Sequence, residues 1–490
     1  MNPRIPLLIQ GGMGVGISGW RLANAVSGAG GLGVVAGTAL EITHARQLSD
    51  GDQGGHLRRA YAAFPDQEVV ERVLGRWYIP GGKAPEDKYR NVPLGRLDSA
   101  PALRELIVLA NFAEVWLARE GHEGQVGINF LEKLQVPTPE GIYGAMLAGV
   151  NAVLMGAGIP AGIPRLLDDL AVGRAVEYTI DVAGATRPHA VHFDPRSVVR
   201  ASTPEGLAPP LLRPGFLAII SSNTLANFLL KDPETSPDGF VVEGSGAGGH
   251  NAPPRGKLVL DERGEPVYGP RDRVDLAKLA STGVPFWLAG GIDTPAKVVE
   301  ALAAGAEGVQ VGTPFALSVD SGMSPAIRRD LIAAASRGEL VVRTDPRASP
   351  SGYPFKVAQL KGTVAEPDIY RARQRVCDIG LLRTAYERED GSVGWRCPAE
   401  PVDAFVSKGG TVEETEGRAC LCNGLVATVE LGQRRTGGLE PPIVTIGDDI
   451  GQIVATLGDA DGMWSALDVI RWLTSELSGS DLAAESPQGT

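Results

Sequence analysis

Eight short apolar runs, most of them ending beside a glycine, alternate with helix-spaced stretches over the first 340 residues, and this alternation leaves few folds open. The runs are Pro6–Gln10, Leu32–Ala36, Gln125–Phe130, Ala152–Met155, Phe216–Ser221, Gly239–Glu243, Pro285–Ala289 and Gly308–Val311. Helical spacing marks Trp20–Ser27, Pro164–Ala171, Asn223–Leu230, Val274–Ala280 and Pro295–Ala304 between them. Strands that alternate with helices imply βαβ units and a parallel sheet. Runs such as LLI, FLAII and FWLA have no polar face, which suits a sheet covered on both sides. Eight such units predict an α/β chain closed as a (β/α)8 TIM-like barrel.

The spacing also predicts additions to that barrel. Residues 1–340 read as the barrel domain, with an insertion at 41–124 after the second strand and one helix candidate inside it, Leu103–Arg119. Setting 41–124 aside leaves close to the ~250 residues typical of such barrels. A second insertion, 175–214, holds two strand-like runs, EYTIDV and AVHF, read as a hairpin beside the barrel. Residues 341–490 form a C-terminal appendix without βα alternation, with a helix expected at Trp464–Leu477. Residues 141–164 carry no charge and match a bilayer in length, but their six glycines, Asn151 and two prolines read as a helix running into a buried strand. The N-terminal MNPRIPLLIQGG lacks the apolar core and cleavage site of a signal peptide, so a cytoplasmic location is expected. A net charge of −12 without a basic run argues against nucleic acid as partner. It leaves a phosphorylated ligand open, because backbone amides bind phosphate without a basic surface.

Two G-x-G-x-x-G stretches, Gly14 to Gly19 and Gly28 to Gly33, read as close-packing loops in preference to a dinucleotide turn. The second precedes a strand, and the first begins after its strand has already ended at Gly11-Gly12. The stronger pair is Ala289-Gly290-Gly291-Ile292 after the seventh strand and Gln310-Val311-Gly312-Thr313 after the eighth. Phosphate sites of such barrels are built from these two loops, where glycines bare their N–H groups and a Thr313 hydroxyl adds a donor. His250 closes the run Gly244-Ser-Gly246-Ala-Gly248-Gly249-His250 at the end of the sixth strand. An imidazole there is suited to take a proton from a substrate carbon near neutral pH. His189 and His192 lie three apart beside a strand and face opposite ways, and His44, His56 and His122 have no partner legible in the sequence. All four cysteines, Cys377, Cys397, Cys420 and Cys422, fall in the appendix. Four thiolates could hold zinc or an iron–sulfur cluster, but without a C-x2-C knuckle the preferred reading is reduced thiols and no metal.

In order along the chain, Ile9-Gln10-Gly11-Gly12-Met13, Gly127-Ile128-Asn129-Phe130, Glu243 to His250, Ala289 to Ile292 and Gln310 to Phe315 resemble the nitronate monooxygenases over about residues 5–330. That resemblance implies an FMN-binding barrel that oxidises alkyl nitronates or nitroalkanes with O2 to carbonyl compounds and nitrite. It implies Gly12 and Met13 along the flavin ring and Asn129 at its polar edge. Gly290, Gly291, Gly312 and Thr313 would hold the phosphate, with Gln310 and Val311 beside them, and His250 would be the active-site base. The implied partners are a small-molecule substrate and O2, with no nucleic acid or membrane and with room for a homo-oligomer. The chain departs from the pattern in a longer segment opening with Asn251-Ala-Pro-Pro-Arg-Gly256, and in Pro270-Arg-Asp272 where a flavin-contacting glutamine is expected. The same scaffold resembles flavin-dependent, NAD(P)H-using enoyl-acyl-carrier-protein reductases, which stand as the alternative. A barrel that binds a phosphate ligand without catalysis is the third reading.

Overall fold

Strands apolar on both faces need cover on both faces, and closing the sheet on itself provides it while removing its edges. The computed structural model describes residues 4–200, 210–448, 450–458 and 463–477; residues 201–209 of the second expected insertion and 478–490 of the appendix lie outside the described residues. The first ten strands are β1 (Leu8–Gln10), β2 (Leu32–Ala36), β3 (Val126–Leu131), β4 (Ala152–Gly156), β5 (Val176–Ile180), β6 (His189–Phe193), β7 (Gly215–Ile220), β8 (Gly239–Glu243), β9 (Phe286–Ala289) and β10 (Gly308–Val311). Eight of them form a closed parallel barrel in the order β1-β10-β9-β8-β7-β4-β3-β2. The chain is therefore a (β/α)8 barrel. The remaining two, β5 and β6, pair antiparallel outside it, with Val176 opposite Phe193.

Two apolar layers follow from the two-residue period of each strand. Ile9, Leu32, Val34, Ala152, Leu154, Leu217, Val241 and Trp287 fill the barrel interior. Their neighbours Val35, Val153, Phe216 and Phe240 point outward into the helical shell. Gly33 shows how tightly that shell sits: a Cβ there would lie 2.0 Å from the Ala23 carbonyl oxygen in α1 (Trp20–Gly28).

The segment 41–124 holds more order than the one helix expected from its sequence. It contains most of α2 (Leu40–Ser49), then α3 (His56–Ala62), α4 (Gln67–Trp77) and α5 (Pro101–Ala118). Packed against α1 and the next helix, α6 (Thr138–Leu147), α5 takes the place of the barrel's own second helix. The shorter helices escape a periodicity reading because their stability comes from tertiary packing. One local signal was there: Asp66 caps α4 by accepting from the Glu68 and Val69 amides at 3.1 and 3.4 Å.

The appendix folds as antiparallel ribbons and short helices. The first ribbon pairs Val342–Asp345 with Phe355–Ala358 and the second pairs Thr384–Glu387 with Val393–Arg396. Its late helix spans Ala466–Leu473, shorter than expected, and starts at a capping box between Ser465 and Asp468. Among the described residues no helix is long and apolar enough to cross a membrane.

Candidate active site

The loops leaving the barrel's C-terminal mouth enclose a cavity of about 380 Å3. That is within the roughly 300–1,000 Å3 of small-molecule sites. Gly12, Met13, Asn129, His250, Gly290, Gly291, Gln310, Val311, Gly312 and Thr313, each singled out in the sequence, all line it.

Close backbone contacts hold these loops. Buried Gln10 donates from Nε2 to Ser18 Oγ (2.8 Å) and accepts the Val34 amide (3.1 Å), while Ser18 Oγ accepts the Met13 amide (2.9 Å). The β1 loop is thereby laid across the mouth so closely that a Cβ on Gly12 would fall 2.3 Å from Asn129 Cβ. Gly290, at φ +86°, lets the β9 loop abut the β8 loop; a Cβ there would lie 2.8 Å from Gly244 O. Thr313 Oγ1 accepts the Gly447 amide at 2.8 Å, which leaves its own hydroxyl proton to donate. Gln310 Oε1 is buried without a hydrogen-bond partner, as expected of an atom waiting for a ligand donor. Bare peptide at the ends of β9 and β10, the Thr313 hydroxyl and this orphan oxygen fit a phosphate-bearing, planar cofactor.

The appendix builds one wall of this cavity, which no sequence signal indicated. Phe355, Leu381, Leu382, Cys422, Leu425 and residues 445–448 line it. Thr445 Oγ1 accepts the Gly249 amide at 2.8 Å, and the Lys356 amide donates to Gly249 O at 2.9 Å. Between these anchors His250 is fixed: its ring meets Phe355 edge-on at 4.8 Å, and Nε2 lies 2.7 Å from Ser349 Oγ. Burial, and then the charge of Lys133, hold the imidazole pKa well below 6.5, so the ring is neutral at neutral pH.

Lys133 follows β3 on the barrel rim. Its Nζ stands 3.9 Å over the Tyr353 ring and 3.3 Å from Ser351 Oγ. Burial lowers its pKa to about 7 despite Glu132 and Glu243, and burial raises the Glu243 carboxyl to about 7. Sequence reasoning passed over Lys133; the signal available was a lone lysine just past the strand-end motif Gly127-Ile128-Asn129-Phe130.

The other candidates take structural places. His44 bridges Tyr61 OH and Glu114 Oε1, each at 3.1 Å. His189 bonds Glu387 at 3.2 Å, whereas His192 is exposed. Cys377, Cys397, Cys420 and Cys422 are free thiols that border one small space with Arg383. Among the described residues no three His, Cys, Asp or Glu side chains are placed to hold a metal ion.

Residues 200–350 match the family described as nitronate monooxygenase. The (3aS,4S,5R,7aS)-5-hydroxy-7a-methyl-1-oxo-octahydro-1H-indene-4-carboxyl-CoA dehydrogenase of Mycobacterium tuberculosis is 29% identical over 269 residues, covering 52% of this chain and 70% of that protein. Probable nitronate monooxygenases of Staphylococcus aureus are 29% identical over 133 residues, 27% of this chain, which thus spans 36% of their length. Among solved structures, FabK from Thermotoga maritima covers 98% of this chain and is covered over 94% of its own, at a TM-score of 0.48 and 17% identity. The family match and the mycobacterial dehydrogenase support an oxidoreductase. The match to the nitronate monooxygenase family falls on the segment that carries β8, β9, β10 and His250.

Proposed function

We propose that this chain is an FMN-dependent enzyme that oxidises small nitroalkanes and their nitronates with O2. The carrying observation is His250, half-buried on the wall of a glycine-rimmed cavity, where its surroundings hold the imidazole pKa well below 6.5. A ring held neutral is a base at neutral pH, the role that proton abstraction next to a nitro group requires. Gly290, Gly291, Gly312 and Thr313 would hold the phosphate, and Gly12, Met13 and Asn129 would border the ring. Gln310 would offer its orphan oxygen, and Val311 would back the site from the strand end. Bound there, flavin supplies the redox chemistry between substrate and O2. The chain's own part is to orient substrate, take its proton at His250 and keep water out behind Phe355 and Leu382.

A second reading, reduction of an enoyl thioester by NAD(P)H through FMN, is favoured by the mycobacterial relative, whose name specifies a carboxyl-CoA substrate. Its proton step asks for a donor, which a histidine held neutral serves less well. Anaerobic mixing separates the two. Propyl nitronate is expected to bleach the flavin of the purified protein, and NADPH is not. The reverse result favours the thioester reading, and colourless, flavin-free protein after mild purification favours a non-catalytic phosphate binder.

A further inference from the structure

A base that cannot keep its proton is useful only if the proton can leave. His250 is such a base, and three polar side chains run from it to the far side of the cavity wall. His250 Nε2 lies 2.7 Å from Ser349 Oγ, Ser349 Oγ lies 2.8 Å from Ser351 Oγ, and Lys133 Nζ lies 3.3 Å from Ser351 Oγ. Ser349 is fully buried, and its Oγ also accepts the Ser351 amide at 3.2 Å, which fixes the turn between the two hydroxyls. Arg418 Nη1 holds the Ser349 carbonyl at 2.5 Å. Lys133, Ser351 and Tyr353 also line a second cavity of about 260 Å3, and Leu134, Ala157, Leu381 and Leu382 border both cavities. The chain therefore starts at the substrate side and ends in a separate chamber.

We propose that Ser349 and Ser351, supplied by the appendix, form a proton relay that connects His250 to Lys133. This deepens the nitroalkane reading and rests on it. The substrate C–H bond breaks, its electron pair stays on the substrate, and the proton bonds to His250 Nδ1. The Nε2 proton passes to Ser349 Oγ, the Ser349 hydroxyl proton to Ser351 Oγ, and the Ser351 proton to the neutral amine of Lys133. One bond forms for each that breaks, and the charge ends as an ammonium beside Glu132 and Glu243. Hydroxyls suit the two inner places because each donates and accepts at once. Lys133 suits the end because its amine is partly neutral near pH 7. The charged and titratable groups around that amine are Glu132 on its own loop, Glu243 at the end of β8, His250, Tyr353 of the appendix, and Glu41, Asp181 and Arg383 lining the second cavity. Lys133 and the serines act through His250 and are positioning residues.

The test compares wild type with Lys133→Met, Lys133→Arg, Ser351→Ala and Ser349→Ala, all loaded with flavin. Nitroethane turnover is expected to rise through pH 7 in wild type as Lys133 becomes neutral. In Lys133→Met that limb should vanish and kcat fall about 10- to 100-fold, a part of the usual general-base contribution. Added methylamine should restore a portion, since a small amine can enter the second cavity, and Lys133→Arg should fail because a guanidinium stays charged. Losses on preformed nitronate should be at least about tenfold smaller, as that substrate has already given up its proton. Nitroethane turnover and pH profile unchanged in Lys133→Met and Ser351→Ala overturn the relay alone. Wild type that oxidises neither substrate overturns the nitroalkane reading and the relay with it.

Discussion

Replacing Gly12 with alanine tests whether the β1 loop is pressed onto β3. The new methyl carbon would lie 2.3 Å from Asn129 Cβ and 3.1 Å from Val34 Cγ1. Non-bonded carbons settle at about 3.5–4.0 Å, so the loop must lift by more than about 1 Å. The neighbours cannot yield, because β2 and β3 are hydrogen-bonded barrel strands with Ala36 opposite Asn129. Overpacking of this kind costs about 1–3 kcal/mol, and a contact this short belongs at the upper end. In an Asn129→Gly background the worst contact is gone, and Gly12→Ala should then cost under about 1 kcal/mol. Asn129→Gly carries its own loss of about 0.5–1 kcal/mol for a glycine inside a strand, which cancels in the cycle. The two changes should therefore couple by about 2 kcal/mol, well beyond the additivity of independent sites. Urea midpoints of the four proteins, followed by tryptophan fluorescence with m unchanged, read this directly. Additive costs would show that Gly12 and Asn129 do not abut, and the proposed ring site between them would lose its wall.

Two further outcomes follow from the same geometry. His250→Ala should fold and retain flavin yet lose turnover of neutral nitroalkanes by about 10²- to 10⁴-fold, with a much smaller loss on preformed nitronates; equal losses on both would remove His250 from the base role. Glu41 is buried, and burial raises its carboxyl pKa from 4.5 to about 7. Between those values the folded chain holds a proton the unfolded chain has released, so stability should fall by about 3 kcal/mol as pH climbs from about 4.5 to 7 and level off above it. Glu41→Gln should flatten that slope in urea midpoints taken from pH 5 to 8, and an unchanged slope would mean that Glu41 is charged in the fold.

Much of the barrel was legible because its signals are local. A run such as Phe216 to Ile220, apolar on both faces and flanked by turn residues, has few alternatives to a covered strand. The hairpin β5–β6 and the late helix were legible for the same reason, through alternation and a helical stripe. The helices α2, α3 and α4 were not, because each is short and leans on α5 for its stability. Glycine-rich strand ends brought Gly290 and Gly312 to notice, since a barrel gathers such ends at one mouth, whereas Gly12 came to notice through the family resemblance.

Contacts between distant segments left no such trace. Ser349 meets His250 across 99 positions and Ser351 meets Lys133 across 218, and neither serine lies in a motif. That the appendix walls the cavity, pins the Gly249 amide through Thr445 and sets His250 against Phe355 follows from how a ribbon packs on the barrel mouth. The chain's amino-acid order was enough to establish a closed parallel sheet with its chemistry at one end, because periodicity and glycine placement act within a few residues. Which side chains surround the imidazole, whether it carries a charge and where its proton can go were decided only on folding, because burial and hydrogen bonding depend on neighbours in space.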